Sequence, residues 1–364
     1  MARILVDGRV GWGSGIGRYI AATLPRLAAL QPQHRFDVVL PPAQLDAARS
    51  LFACCDNLGM VASDIVPFSG REQWALEPLS SSYDLTWFTN YFVPLRWRGP
   101  FIATVHDVLH LEDELFPTAW TKRTLSRLAF RKVQRQARGV AFVSRFSQRE
   151  FTRKIGAVQP WVNCLSGIDH ADWPLFDPAT PPHKTKRILV VGAAKQHKNF
   201  SMAIAAWQRA RLSPEWQLTA VAPAVDQRSG IDLQSLANTD RAIDVRRGIS
   251  NEELHGLYGE ASIVLMPSLY EGFGLPLLEG MQAGALCVSS TAEALVETAG
   301  GAWLQFVNGR DLTGWVEAIE QACRTIDDPP FDLEAMRRHN MRHAAQYSWD
   351  RTAEAIAALL DQTL

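Results

Sequence analysis

Two series of short apolar runs, each run set off from the next by a longer helical pattern, constrain the fold of this chain more than any other feature. RILVD, FDVVL, YDLTWF, FIATV, GVAFVS and WVNCLS make up the first series, and RILVVG, WQLTAVA, IDVRR, ASIVLMPS and ALCVSS the second. Near-continuous apolar runs alternating with helices read as parallel strands covered on both faces, joined by right-handed crossovers. Between the two series lies DHADWPLFDPATPPHKTK, Asp169 to Lys186, rich in proline and poor in periodicity, the composition of a linker. A length of 364 residues exceeds what one ordinary core supports. The predicted architecture is α/β, two doubly wound Rossmann-like domains over residues 1–168 and 187–349, with a linker over 169–186 and a last helix over 350–364. Ligands of open α/β sheets bind beyond the carboxyl ends of the strands, so two such domains facing a central cleft would bring a donor and an acceptor together.

The segment SLYEGFGLPLLEGMQAG, Ser268 to Gly284, carries the densest chemical signal. It follows the strand-like ASIVLMPS, and Pro276 suits the first turn of a helix, where its missing N–H is no loss. Gly272 and Gly274 allow a ligand close approach to the backbone, and the unpaired N–H groups of a new helix favour a phosphate. Glu271 and Glu279 cannot bind phosphate; they suit hydroxyl groups. A ligand with an anionic part and a polyol part is implied. Taken alone, Glu271 reads as the cap of a turn and Glu279 as an ordinary surface helix residue.

Other segments add to this picture. RILVVGAAKQHKNFSMAI passes through Gly192 to a helix predicted to start near Asn199, which leaves Lys198 at a helix N-terminus, a poor place for a cation unless an anion joins it. RGISNEELHGLYGEA contains a turn at Gly248 and Ile249, then Ser250 and Glu253 at capping-box spacing. In the first half, RILVD runs into GRVGWGSGIGRYI. The register of a G-x-G-x-x-G fingerprint fails there, because Ile16 and Arg18 stand where the third glycine belongs. FIATV is followed by His106 and Asp107, at the end of a strand. TAWTKRTLSRLAFRKVQRQARG repeats arginine at 123, 127, 131 and 135, joined by Lys122, Lys132 and Arg138, beside Leu125, Leu128 and Val133. That stripe is either a solvated face or a contact for an anionic membrane or lipid diphosphate.

Composition removes several classes. A formal net charge of -1 offers nothing to nucleic acid, and the five cysteines, with Cys54 and Cys55 adjacent, match neither a disulfide framework nor a metal-ligand spacing. A reducing cytoplasm is expected. No run approaches the roughly 18 apolar residues of a membrane span, and the start MARILVDG has no secretory h-region.

The string from Glu271 to Glu279 resembles the E-x7-E motif of retaining GT-B glycosyltransferases of family 4; GIGRY, TVHD and KN are similar to that family's other motifs. The resemblance implies that Glu271 contacts the transferred sugar, Glu279 the nucleotide ribose and Lys198 the diphosphate. It places His106 beside the donor sugar, and Gly15, Gly17, Gly192, Gly248, Ile249, Gly272, Phe273, Gly274 and Leu275 around the donor. The family often has a basic residue five positions before that lysine. Here it is Ala193, which leaves Lys195 or His197 as substitutes. The last helix would cross back to the first domain. The expected activity is transfer of a hexose, preferably mannose from GDP-mannose, to a hydroxyl of a glycan or lipid-linked glycan. No cofactor or metal is expected, and the expected location is the cytoplasm, either in solution or at the inner face of the cytoplasmic membrane. A GT-B nucleotide-sugar epimerase and a catalytically silent partner subunit are the alternatives.

Overall fold

The computed structural model describes residues 1–12, 14–67, 69–112, 120–169, 184–193, 195–222, 241–329 and 332–364. Most of the proline-rich segment, 170–183, therefore lies outside the described residues, and Thr185 and Lys186 belong to a strand. Two compact units result: Met1–Gly167 together with Ser348–Leu364, and Ile168–Tyr347.

The first unit is built on seven parallel strands: β1 (Arg3–Asp7), β2 (Arg35–Leu40), β3 (Leu58–Ala62), β4 (Leu85–Phe88), β5 (Phe101–Val105), β6 (Gly139–Phe142) and β7 (Trp161–Asn163). Their order is β3-β2-β1-β4-β5-β6-β7, so the chain winds outward from β1 one way and then returns to lay β4 on its other side. β4, β5 and β6 are buried at every position, as the apolar runs require of strands covered on both faces. Phe88, Phe101, Phe130, Phe142 and Phe151 form an aromatic core on one face. The Trp349–Thr363 helix, capped by Ser348, closes the unit against the Gly15–Leu30 helix. Arg26 pairs with Asp350 at 2.9 Å, Gln31 donates to Asp361 at 3.1 Å, and Arg138 donates to the Thr363 carbonyl at 3.0 Å.

The second unit repeats the plan with six parallel strands: β8 (Thr185–Val191), β9 (Gln217–Ala222), β10 (Ile243–Arg247), β11 (Ala261–Met266), β12 (Leu286–Ser290) and β13 (Gln305–Val307). The order is β10-β9-β8-β11-β12-β13. Trp207, Trp216 and Trp315 are buried in its core. Two strands are not signalled in the sequence, β3 and β13, and both are sheet edges. β3 is broken by Gly59 and buried only at Leu58, and β13 is three residues long and buried only at Val307, so neither stands out as a strand buried on both faces. In each unit the strand order reverses once, between β1 and β4 and between β8 and β11. The crevice beyond the carboxyl ends of such a pair is where open α/β sheets take their ligands.

Candidate functional site

The loops after β8 and β11 flank the reversal point of the second unit. β11 is buried at all of its positions and ends at Met266; the chain then turns through Ser268 and Glu271 to the Leu275–Gln282 helix. Gly274 caps that helix at φ 107°, a conformation closed to most side chains. A Cβ there would also lie 2.4 Å from Leu295 Cδ2, so the position accepts only glycine. Pro276 sits in the first turn, where no backbone donor is lost. The Phe273 carbonyl accepts from Thr298 Oγ1 at 2.6 Å, and its ring packs edge-on against Tyr347 at 5.6 Å. The loop is thus clamped from behind. Glu271 and Glu279 are both buried, at 8% and 2% exposure, and Gly272 and Leu275 between them are half-buried.

The loop after β8 is sewn to this one. Gly192 bonds back to the Val221 carbonyl at 3.1 Å, Lys195 is exposed, and Gln196–Lys198 forms one 3-10 turn. Asn199 follows in the left-handed region at φ 55°, which asparagine tolerates better than other non-glycine residues. Its side-chain amide donates to the carbonyls of Pro267 at 3.1 Å and Gly309 at 2.8 Å. The Leu269 N–H donates to the His197 carbonyl at 2.7 Å. These bonds carry Lys198 across the crevice, where its Nζ lies 2.7 Å from both carboxylate oxygens of Glu271. The sequence reading set Lys198 at a helix N-terminus in need of an anion. The regular helix begins at Phe200 with Asn199 as its N-cap, in line with the predicted start near Asn199, and the anion beside Lys198 is Glu271. Asn199, which the sequence marks only as the helix start and the second residue of KN, is the residue that ties this loop to Pro267 and Gly309.

Elsewhere in the unit, the Gly248 N–H donates to the Ala222 carbonyl at 3.1 Å, and Ile249 is half-buried in the turn after β10. Ser250 Oγ accepts from the Glu253 N–H at 3.1 Å, one half of a capping box, while the Glu253 carboxylate reaches Arg246 at 3.4 Å. Among the described residues, no group of three or more His, Cys, Asp or Glu is placed to hold a metal ion.

In the first unit, Gly15 and Gly17 do not form a loop; they open the Gly15–Leu30 helix, and the Gly17 N–H is bonded to the Ser14 hydroxyl at 3.1 Å. Gly17 is there for proximity, since a Cβ would fall 2.0 Å from the Gly11 carbonyl oxygen. His106 follows β5 directly. Its Nε2 lies 2.9 Å from the Thr89 carbonyl, and a carbonyl only accepts, so Nε2 carries the proton and Nδ1 keeps its lone pair. Tyr19, from the GIGRY segment, packs edge-on against the imidazole at 5.1 Å. Burial holds the His106 pKa below its ordinary 6.5, against the raising effects of Thr89 and Asp107, so the ring is neutral at pH 7. Asp107 does not orient it: the Asp107 carboxylate accepts from the Leu109 N–H at 2.9 Å.

The arginine-rich segment forms the Trp120–Gln136 helix. Arg127, Arg131 and Arg135 are exposed and Arg123 is half-buried. Leu125 and Leu128 are exposed beside them, with Trp120 at 75%, whereas Val133 belongs to the core. Lys132 leaves the stripe: it is buried, donates to the Trp97 carbonyl at 2.7 Å and to Gln136 at 2.6 Å, and burial lowers its pKa. Among the described residues, no helix is long and apolar enough to cross a membrane.

Residues 185–325 match the model of the family described as glycosyl transferases group 1. The chain is 25% identical over 277 residues to the MMP alpha-(1->4)-mannosyltransferase of Mycolicibacterium hassiacum, which covers 73% of this chain and 66% of that protein. It is 30% identical over 201 residues to the glycogen synthase of Mycobacterium tuberculosis, covering 53% and 46%. The chain thus spans about half to two thirds of the length of these curated relatives. HepE of Anabaena, solved in complex with UDP-glucose, superposes with a TM-score of 0.78 at 16% identity over 99% of this chain and 100% of that one. That likeness shows the fold, the pair of parallel-sheet Rossmann-like units of GT-B glycosyltransferases. The segment that brings Lys198 onto Glu271 and buries Glu279 is the part of the chain that matches the glycosyl transferases group 1 family.

Proposed function

We propose that this chain is a retaining glycosyltransferase that moves a hexose from a nucleoside diphosphate sugar to a hydroxyl of a glycan or lipid-linked glycan. The observation that carries the reading is the convergence of Lys198, Glu271 and the start of the Leu275–Gln282 helix on the reversal point between β8 and β11. As the glycosidic bond opens, negative charge gathers on the diphosphate and the anomeric carbon becomes oxocarbenium-like. Lys198 and the amides of the glycine turn meet the first charge without calling on a metal ion. Buried Glu279 accepts from the ribose hydroxyls, and His106 offers Nδ1 to a sugar hydroxyl. Mannose from GDP-mannose is the preferred donor, in keeping with the mannosyltransferase among the relatives. Incubating the purified chain, free of divalent metal, with GDP-mannose, UDP-glucose or dTDP-glucose and a mannoside acceptor tests this. Transfer from GDP-mannose with retained configuration is expected; release of an epimerised sugar nucleotide, or no turnover of any donor, would refute the reading.

The exposed face of the Trp120–Gln136 helix supports an acceptor presented on an anionic membrane surface. Trp120, Leu125 and Leu128 can enter the interface while Arg127, Arg131 and Arg135 meet anionic headgroups, each charge worth about 1 kcal/mol near such a surface. Binding to anionic vesicles should weaken as salt shortens the Debye length from about 10 Å at 0.1 M toward 3 Å at 1 M. Changing Arg123, Arg127, Arg131 and Arg135 together to Gln should abolish it while sparing transfer to a short soluble acceptor. Unchanged vesicle sedimentation would leave the helix a solvated face.

A further inference from the structure

The pairing of Lys198 with Glu271 sets the cation assigned to the diphosphate against the carboxylate assigned to the sugar. Both Glu271 oxygens lie 2.7 Å from Nζ, and the pair is largely withdrawn from solvent, with side chains 20% and 8% exposed. Such charge-assisted bonds are the strong ones, and more so where water is scarce. Both loops are anchored from outside the pair, through Asn199 to Pro267 and Gly309 and through His197 to Leu269. The ammonium is therefore held where it stands, and an arriving phosphate has to take it from Glu271. Sharing it would leave a carboxylate beside a phosphate oxyanion, two like charges around one cation.

We infer that Glu271 is an internal counter-anion that occupies the phosphate's place on Lys198 and makes this site discriminate against a nucleoside diphosphate that lacks its sugar. The inference rests on the donor-site reading proposed above. A complete sugar nucleotide displaces Glu271 from Lys198 and gives it hydroxyl groups to accept from. A bare nucleoside diphosphate displaces it and offers nothing in return. After transfer, the remaining nucleoside diphosphate competes with a carboxylate that has lost its sugar partner, so re-forming the ion pair drives the product out. Glu271 thereby sets specificity between substrate and product in addition to touching the sugar.

Calorimetry with GDP, and with UDP in parallel, on the wild type, Glu271→Gln, Lys198→Met and the double variant tests the inference. Glutamine keeps the shape of Glu271 and removes its charge, so Glu271→Gln should bind the nucleoside diphosphate about tenfold tighter, the scale of one charge-assisted contact recovered. GDP-mannose should gain nothing, because the carboxylate that held its sugar is gone. In the Lys198→Met background the same change should alter nucleoside diphosphate affinity by less than about twofold, since no cation remains to compete for. Affinity unchanged or weakened in Glu271→Gln would overturn the inference. Equal tightening with and without Lys198 would overturn it too, because it would show general repulsion by the carboxylate. A wild type that binds neither GDP nor UDP would overturn the donor site itself, a result distinct from the other two. Melting curves of the four proteins establish that each is folded when titrated.

Discussion

Lys198→Ala is expected to lower the rate of transfer at saturating donor by about 10²- to 10³-fold, the loss typical of removing one preorganised donor to a developing oxyanion. The ammonium stands at the crevice between the loops after β8 and β11, held through Asn199, so it is already aimed when the leaving diphosphate gains charge. Its removal also leaves Glu271 buried without that cation, which costs stability on the order of 1–3 kcal/mol. Domains are commonly stable by about 5–15 kcal/mol, so the variant stays folded at 25 °C and the rate loss cannot be charged to unfolding. Steady-state transfer by the purified variant, with circular dichroism as the folding control, decides the matter. More than about half of the wild-type rate would remove Lys198 from the reaction.

Glu279→Gln is expected to weaken binding of the free nucleoside diphosphate by about ten- to a hundredfold, the range for losing charged hydrogen bonds to a buried acceptor. Glu279 lies in the second turn of the Leu275–Gln282 helix at 2% exposure, one turn beyond the amides suited to phosphate, and carboxylates bind vicinal hydroxyls through both oxygens. The ribose is present in the free nucleotide, so the effect appears without any sugar. Glu271→Gln is expected to move the same constant in the opposite direction. Calorimetry on the two variants side by side separates the roles, and a Glu279→Gln affinity within about twofold of wild type would detach that residue from the ribose.

These opposite signs mark where local and long-range information part. The E-x7-E string shows two carboxylates around a glycine turn, but not that Glu271 is bonded to a lysine 73 positions away. That contact exists because β8 and β11 are neighbours in the sheet. Lys132 makes the same point. In the sequence it is one of a run of cations, yet its carbon stem lies along the buried side of its helix and its ammonium is spent on the Trp97 carbonyl.

The sequence by itself determined whatever depends on a few adjacent residues. Continuous apolar runs specify strands buried on both faces. Pro276 after Gly274 specifies where a helix can begin, and Ser250 at its spacing to Glu253 specifies a cap. The tertiary structure alone decided the edge strands β3 and β13, the close approach that makes Gly17 necessary, the tautomer of His106 set by Thr89, and the partner of Lys198. The physical reason is range. Backbone sterics and side-chain periodicity act within a turn or a strand, whereas a hydrogen bond or an ion pair joins whatever the strand order brings within about 3 Å, however distant along the chain.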